Sequence, residues 1–256
     1  MTFSPIPSAL VEAVRHQDAV LFAGAGLSFG VLGVSGGTLR DAIGAKIVND
    51  YPSYDLSTRA FEDVCDEYVA INDRTGLVDQ LAAAIPTNVA PSDAHLAAVK
   101  AFGYIVTTNW DLLFEDAAKQ IGQRYHIISA EADAPAFHID QHNLLKIHGS
   151  VDHPLSLIAT TDDYEGYADT HAGILNCVSE LLSGRTVLFV GYNLRDEHIR
   201  RLLSAIRRKR GSWARKAYAV GFYDEVRTKL LASRDIEAIT ATADDFLPEL
   251  ARKALT

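Results

Sequence analysis

A series of short apolar runs constrains this chain more than any other feature. The runs are "AVLFAG" (19–24), "YIVTT" (104–108), "NLLKIHG" (143–149), "TVLFVG" (186–191) and "AYAVGF" (217–222), with "IEAIT" (236–240) as a last candidate. A strand with one wet face alternates apolar and polar residues. These runs do not alternate, which is the pattern of parallel strands covered by helices on both faces. Helical patterns such as "DLLFEDAAKQI" and "DEHIRRLLSAI" lie between them. The alternation predicts an α/β chain with a Rossmann-like, doubly wound, mostly parallel sheet. Residues 38–100 break it with "TLRDAIGAKIVND", "AFEDVCDEYVAI" and "LVDQLAAAI". We read this interval as a helical insertion after the first strand, packed over one end of the sheet. There is no Gly/Ser linker, repeat or low-complexity tract, so residues 1–256 are expected to form a single domain.

Composition removes several classes of function. At 256 residues, 48% hydrophobic and 22% charged, the chain has the make-up of a globular protein with a substantial core. No apolar run approaches the roughly 18 residues of a membrane span. The N-terminal "MTFSPIPSALVEAV" lacks the basic and apolar regions of a secretory signal, so a cytoplasmic location is expected. Cys65 and Cys177 are isolated and form neither a CxxC pair nor a zinc site. A net charge of −9 argues against nucleic-acid binding by the surface as a whole. The local exception is "RRLLSAIRRKRGSWARK" at 200–216, an amphipathic helical pattern with a basic far side. It reads as a solvated helix face or as a docking surface.

In a doubly wound sheet, ligands collect beyond the carboxyl ends of the strands, at a topological switch point. Four strand exits carry polar residues there. The first runs into Gly24-Ala25-Gly26 and then Ser28. Glycine lets backbone turn tightly and approach a neighbour, and a helix start offers N–H groups to phosphate. The dinucleotide fingerprint G-x-G-x-x-G is incomplete, because Phe29 holds the third position and Gly30 comes one late. The second exit is Thr107-Thr108-Asn109-Trp110-Asp111, the third Lys146-Ile147-His148-Gly149-Ser150, and the fourth Gly191-Tyr192-Asn193. One exit alone is explained by a cap or a core histidine; four at one end of a sheet favour a shared site. The other histidines, His95 among them, show no metal-like spacing except His138 and His142, which lie in a polar turn.

In series, these stretches resemble the SIR2 (sirtuin-like) family. "GAGLS" is similar to its GAG-x-S turn, "TTNWD" to its T-x-N-x-D segment, and "KIHGS" to the strand that ends in its histidine. "VGYNLRD" resembles the segment near the adenosine half of NAD, and "LIATTDDYEGY" the T-x-x-D-Y segment of the prokaryotic SIR2-like branch. The resemblance implies NAD+ as a substrate, with Asn109 and His148 catalytic. Asn109 would hydrogen-bond the ribose or the attacking water, and His148 would act as a base. Asp111 would bind the nicotinamide carboxamide, though a helix cap explains it equally well. Gly24, Ala25, Gly26 and Ser28 would cradle the pyrophosphate, and Gly191 and Asn193 would line the adenosine ribose. Thr108 and Tyr192 complete the binding set.

The departures from the family are informative. Protein deacylases of the family insert a four-cysteine zinc module after the His-Gly segment. Only Cys177 lies beyond that point here, so no metal is expected. The usual proline-containing segment is also missing from "FGVLGVSGGTLRD". The resemblance therefore points to the compact SIR2-like NADases of bacterial anti-phage defence. It implies an NAD+ glycohydrolase gated by a protein partner, by oligomerisation, or by both. The alternatives are an NAD-dependent deacylase or ADP-ribosyltransferase, a non-catalytic NAD- or ADP-ribose-binding subunit, and a plain nucleotide-binding domain.

Overall fold

The computed structural model describes residues 4–192 and 216–256. Among the described residues, seven strands form one sheet: β1 (Ala19–Ala23), β2 (Tyr104–Thr107), β3 (His126–Ile128), β4 (Asn143–Lys146), β5 (Thr186–Val190), β6 (Ala217–Val220) and β7 (Ile236–Ile239). Their order is β3-β4-β2-β1-β5-β6-β7, and every pairing is parallel. Six strands coincide with the apolar runs. β3 does not, because a three-residue edge strand with an exposed Ile127 has no buried run to announce it. β4 stops at Lys146, so Ile147–Gly149 forms a turn instead of the strand's last residues. Its closing bond runs from Gly149 N–H to the Lys146 carbonyl, with Gly149 at φ +87°.

Alternate side chains of each strand face opposite layers. On β1, Ala19, Leu21 and Ala23 join one core with α1 (Ser8–Arg15), α6 (Asp93–Ala101), α7 (Leu113–Ile121) and α12 (Ala243–Ala254). Val20 and Phe22 point the other way, into a core with α10 (Ala172–Gly184) and Leu231 of α11 (Glu225–Ala232). A third core belongs to α3 (Gly36–Asp50), α4 (Phe61–Ile71) and α5 (Arg74–Ala83), and Trp110 from the β2 exit is part of it. A capping box between Ser35 and Thr38 starts α3, and the Asp73 carboxylate caps α5. Within residues 38–100, α6 thus packs with the sheet layer, while α3 to α5 share their own core. Among the described residues, no helix is long and apolar enough to cross a membrane. The basic stretch lies outside the described residues, Lys216 excepted.

The chain completes β2, β3 and β4 on one side of β1 before crossing to β5 on the other, which puts the switch point between β1 and β5. Here α2 (Ala25–Leu32) starts directly from β1. Gly24 N–H donates to the Val190 carbonyl at 3.0 Å and Gly26 N–H to the Gly191 carbonyl at 2.8 Å. A Cβ on Gly26 would lie 2.8 Å from the Gly191 carbonyl oxygen. One on Gly191, which sits at φ +65°, would lie 2.1 Å from Leu27 N. These glycines let two strand exits touch. Gly191→Ala is expected to lose at least about 2 kcal/mol of unfolding free energy, read as a lower urea midpoint at unchanged slope. Gly30→Ala is the control: its site is open and its backbone helical, so its midpoint should hold or rise.

Candidate active site

A cleft of about 730 Å³ opens beyond the carboxyl ends of β1, β2, β4 and β5. It gathers Ala25, Gly26, Ser28, Thr108, Asn109, Asp111, His148, Gly191 and Tyr192 from four separate exits. Gly24 lies behind this lining, against Gly191 and Tyr192. Asn193 is outside the described residues. The rest of the lining is mostly apolar, with Phe29 and Leu32 of α2, Leu39 of α3, Phe61, Ile85 and Trp110, joined by Ser35 and Glu62. The lining therefore combines hydrogen-bonding groups with apolar and aromatic surface.

Asn109 is 6% exposed, and both of its Nδ2 hydrogens have protein acceptors. Nδ2 donates to the Gly24 carbonyl at 3.2 Å and to Ser28 Oγ at 3.0 Å. The backbone N–H is held by Thr107 Oγ1 at 3.0 Å. With its nitrogen committed, the amide leaves Oδ1 buried without a protein partner. A buried acceptor in that state carries a desolvation cost that a ligand hydroxyl or a water removes. Asp111 Oδ1 accepts from Leu113 N–H at 3.1 Å in a turn that precedes α7, whose N-cap is Leu112, and the side chain also lines the cleft.

Lys146 ties the β2 and β4 exits together. Its side chain is 1% exposed, and the three N–H groups of Nζ donate to the Asp111 carbonyl (2.6 Å), Glu115 Oε1 (2.7 Å) and Ser150 Oγ (2.7 Å), with the Trp110 carbonyl sharing one of them at 3.3 Å. Burial pushes the Glu115 carboxyl above the usual carboxylate range, with Lys146 opposing the shift. Sequence reading left Lys146 without a role, because a lysine in a motif is by default a solvated one.

His148 is buried in the turn after β4, with the edge of its ring against Tyr164 at 5.3 Å and 85°. The T-x-x-D-Y segment explains that placement. Thr160 Oγ1 accepts from Asp163 N–H, while Asp163 Oδ2 accepts from Thr160 N–H and Ala159 N–H. This capping box opens the short helix α8 (Thr161–Glu165), which carries Tyr164 to the histidine. Arg74 of α5 holds the Asp163 carboxylate at 2.8 Å.

Two further findings go beyond the sequence reading. The N–H groups of Gly24, Gly26 and Leu27 already have protein acceptors, so the glycines serve chiefly the contact between exits. The Ser28 hydroxyl is likewise engaged, with Asn109 at 3.0 Å and with His95 Nε2 at 3.3 Å. His95 is fully buried on α6 and was missed because no motif surrounds it. Its only sequence signal is the "SDAH" start of a helix running into β2. Among the described residues, no three His, Cys, Asp or Glu side chains gather as a metal site, and Cys65 and Cys177 are buried free thiols.

An all-parallel sheet with a cleft at its switch point, and an asparagine and a histidine on adjacent exits, defines a Rossmann-like, doubly wound α/β protein. Residues 103–239, more than half of the chain, match the family model of the SIR2-like domain, and the chain belongs to that family. It is 25% identical over 259 residues to the NAD(+) hydrolase ThsA of Bacillus cereus (strain MSX-D12), which covers 98% of this chain and 54% of that protein. It is 29% identical over 206 residues to the NAD(+) hydrolase ThsA of Enterococcus faecium, covering 77% of this chain and 41% of that protein. It is 32% identical over 108 residues to Defense-associated sirtuin 2 of Bacillus subtilis, covering 41% of this chain and 11% of that protein. The chain thus spans about half the length, or less, of these relatives.

Proposed function

We propose that the chain is an NAD+ glycohydrolase that cleaves the nicotinamide–ribose bond to give nicotinamide and ADP-ribose. The observation that carries the reading is the Asn109 amide, whose unpartnered Oδ1 shares the cleft with His148 in a chain similar to proteins named NAD(+) hydrolases. The C1′–N bond breaks with its electron pair returning to the pyridinium nitrogen, so nicotinamide leaves neutral and needs no proton. Positive charge develops at C1′, as in other glycosyl transfers. Water adds there and its proton passes to His148, then to solvent. Asn109 Oδ1 accepts a hydrogen bond from a ribose hydroxyl or from that water. Asp111 takes the carboxamide, Ala25, Thr108 and Tyr192 hold the rest of the dinucleotide, Gly24, Gly26 and Gly191 leave backbone room for it, Ser28 holds Asn109, and Asn193 is assigned to the adenosine ribose by its motif alone.

Residues 1–256 act as one unit, with α3 to α5 roofing the cleft. Unrestrained NAD+ loss would be toxic in the cytoplasm, so a protein partner or oligomerisation gates the activity, as suits an effector of anti-phage defence. The test is nicotinamide release from NAD+ by the purified chain, alone and with the products of neighbouring genes. Asn109→Ala and His148→Ala are each expected to lower release by roughly 10²–10⁴-fold. NAD+ that binds but stays intact under every condition would overturn the reading in favour of a regulatory subunit. ADP-ribose appearing on a protein would make the chain a transferase.

A further inference from the structure

An asparagine amide is nearly the same shape either way round, so something must decide which end faces the cleft. The Gly24 carbonyl is one determinant, since it can only accept. Ser28 is not one by itself, because a hydroxyl either donates or accepts. Its behaviour depends on what accepts its hydrogen bond, and the neighbour within reach is His95 Nε2 at 3.3 Å. On the far side of the ring, Nδ1 lies 2.9 Å from Ser92 Oγ. The ring is fully buried and its edge meets Phe114 at 5.2 Å, so its orientation is fixed by packing.

We propose that His95 is a positioning residue: by accepting the hydrogen bond that the Ser28 hydroxyl donates, it leaves that hydroxyl able only to accept from Asn109, and so holds the amide oxygen toward the bound dinucleotide. In this arrangement Nδ1–H donates to Ser92, Nε2 accepts from Ser28, and Ser28 accepts from Asn109 Nδ2. Both neighbours of the amide nitrogen are then acceptors, and a flipped amide would face two repulsive contacts. Without His95, Ser28 can turn and donate to a flipped Oδ1, which removes half of the preference. Burial lowers the proton affinity of His95 and keeps the ring neutral, against the opposing pull of Asp111 and Asp244. The inference rests on the NAD+-cleaving reading for its effect on rate, but the orientation of Asn109 does not.

Two substitutions separate positioning from packing. His95→Asn keeps a polar group near Ser92 but is too short to reach Ser28; His95→Gln places an amide oxygen near the position of Nε2. His95→Asn is expected to lower kcat for nicotinamide release about tenfold with KM for NAD+ little changed, and His95→Gln to restore most of it. Ser28→Ala should lower kcat as well, and adding His95→Asn to it should cost nothing more. Equal losses in both His95 variants, tracking their melting temperatures, would overturn the proposal, as would additive losses with Ser28→Ala. A second readout needs no turnover: solvent exchange of the Asn109 side-chain amide, followed by NMR. Slow exchange in the parent and in His95→Gln, with fast exchange in His95→Asn, supports the relay even if no NAD+ is hydrolysed. Unchanged exchange in His95→Asn overturns it.

Discussion

Replacing Lys146 with Met is expected to lower the unfolding free energy by about 3–5 kcal/mol, because it leaves the Glu115 carboxylate buried without its cation. The same change frees the carbonyls of Trp110 and Asp111, which the ammonium draws to within 3.3 and 2.6 Å. Glu115 already titrates above the ordinary range through burial, with Lys146 holding it down. Removing Lys146 raises it further, so the folded variant binds that proton more tightly than the unfolded chain does. Such a group favours folding below the ordinary glutamate value, and its contribution is lost as pH rises through the folded-state value. The deficit of Lys146→Met against the parent should therefore grow from acid toward neutral pH in urea titrations. Adding Glu115→Gln should recover much of the loss at pH 7. A deficit that does not vary with pH would show that Glu115 is not the group left exposed to the change.

Asn109→Asp is expected to abolish turnover at neutral pH as fully as Asn109→Ala, roughly 10²–10⁴-fold, despite its near-identical shape. The carboxylate would place an oxygen where Nδ2 now sits, 3.2 Å from the Gly24 carbonyl, so two acceptors would face each other. Burial and that contact both favour the protonated acid, whose O–H can donate to Gly24 as the amide does. Lowering the pH should therefore restore part of the activity of Asn109→Asp relative to the parent at the same pH, while Asn109→Ala gains nothing. Stability of the Asp variant should follow the same sign, with its deficit growing as pH rises. Parallel pH profiles for the Asp and Ala variants would mean that the Nδ2 contact with Gly24 does not matter.

The sheet was legible because six of its strands coincide with short runs dominated by apolar residues, and burial on both faces keeps polar residues few, as in β1 and β5. β3 was not, since three residues at an edge with Ile127 in solvent carry no such signal. The strand exits stood out because polar residues such as Asn109 and His148 interrupt apolar surroundings, and the fold brings them to one cleft. The parts that were not legible are pairwise. Lys146 is buried only because two exits converge on it. Ser28 meets His95 only because α6 sets that ring against its hydroxyl. Neither fact is local to a stretch of sequence. Asn193 and nearly all of the basic stretch fall outside the described residues.

Trp110 belongs to two bodies at once. Its backbone lies between Asn109 and Asp111, and its side chain is packed within the core of α3 to α5, beside Phe61. A lid on a hinge swings without disturbing the surface it covers. Here the covering helices share a residue with the floor, and lifting them would expose an indole whose burial is worth at least about 2 kcal/mol. Moving those three helices therefore costs burial in the floor of the cleft itself, as well as in the cover.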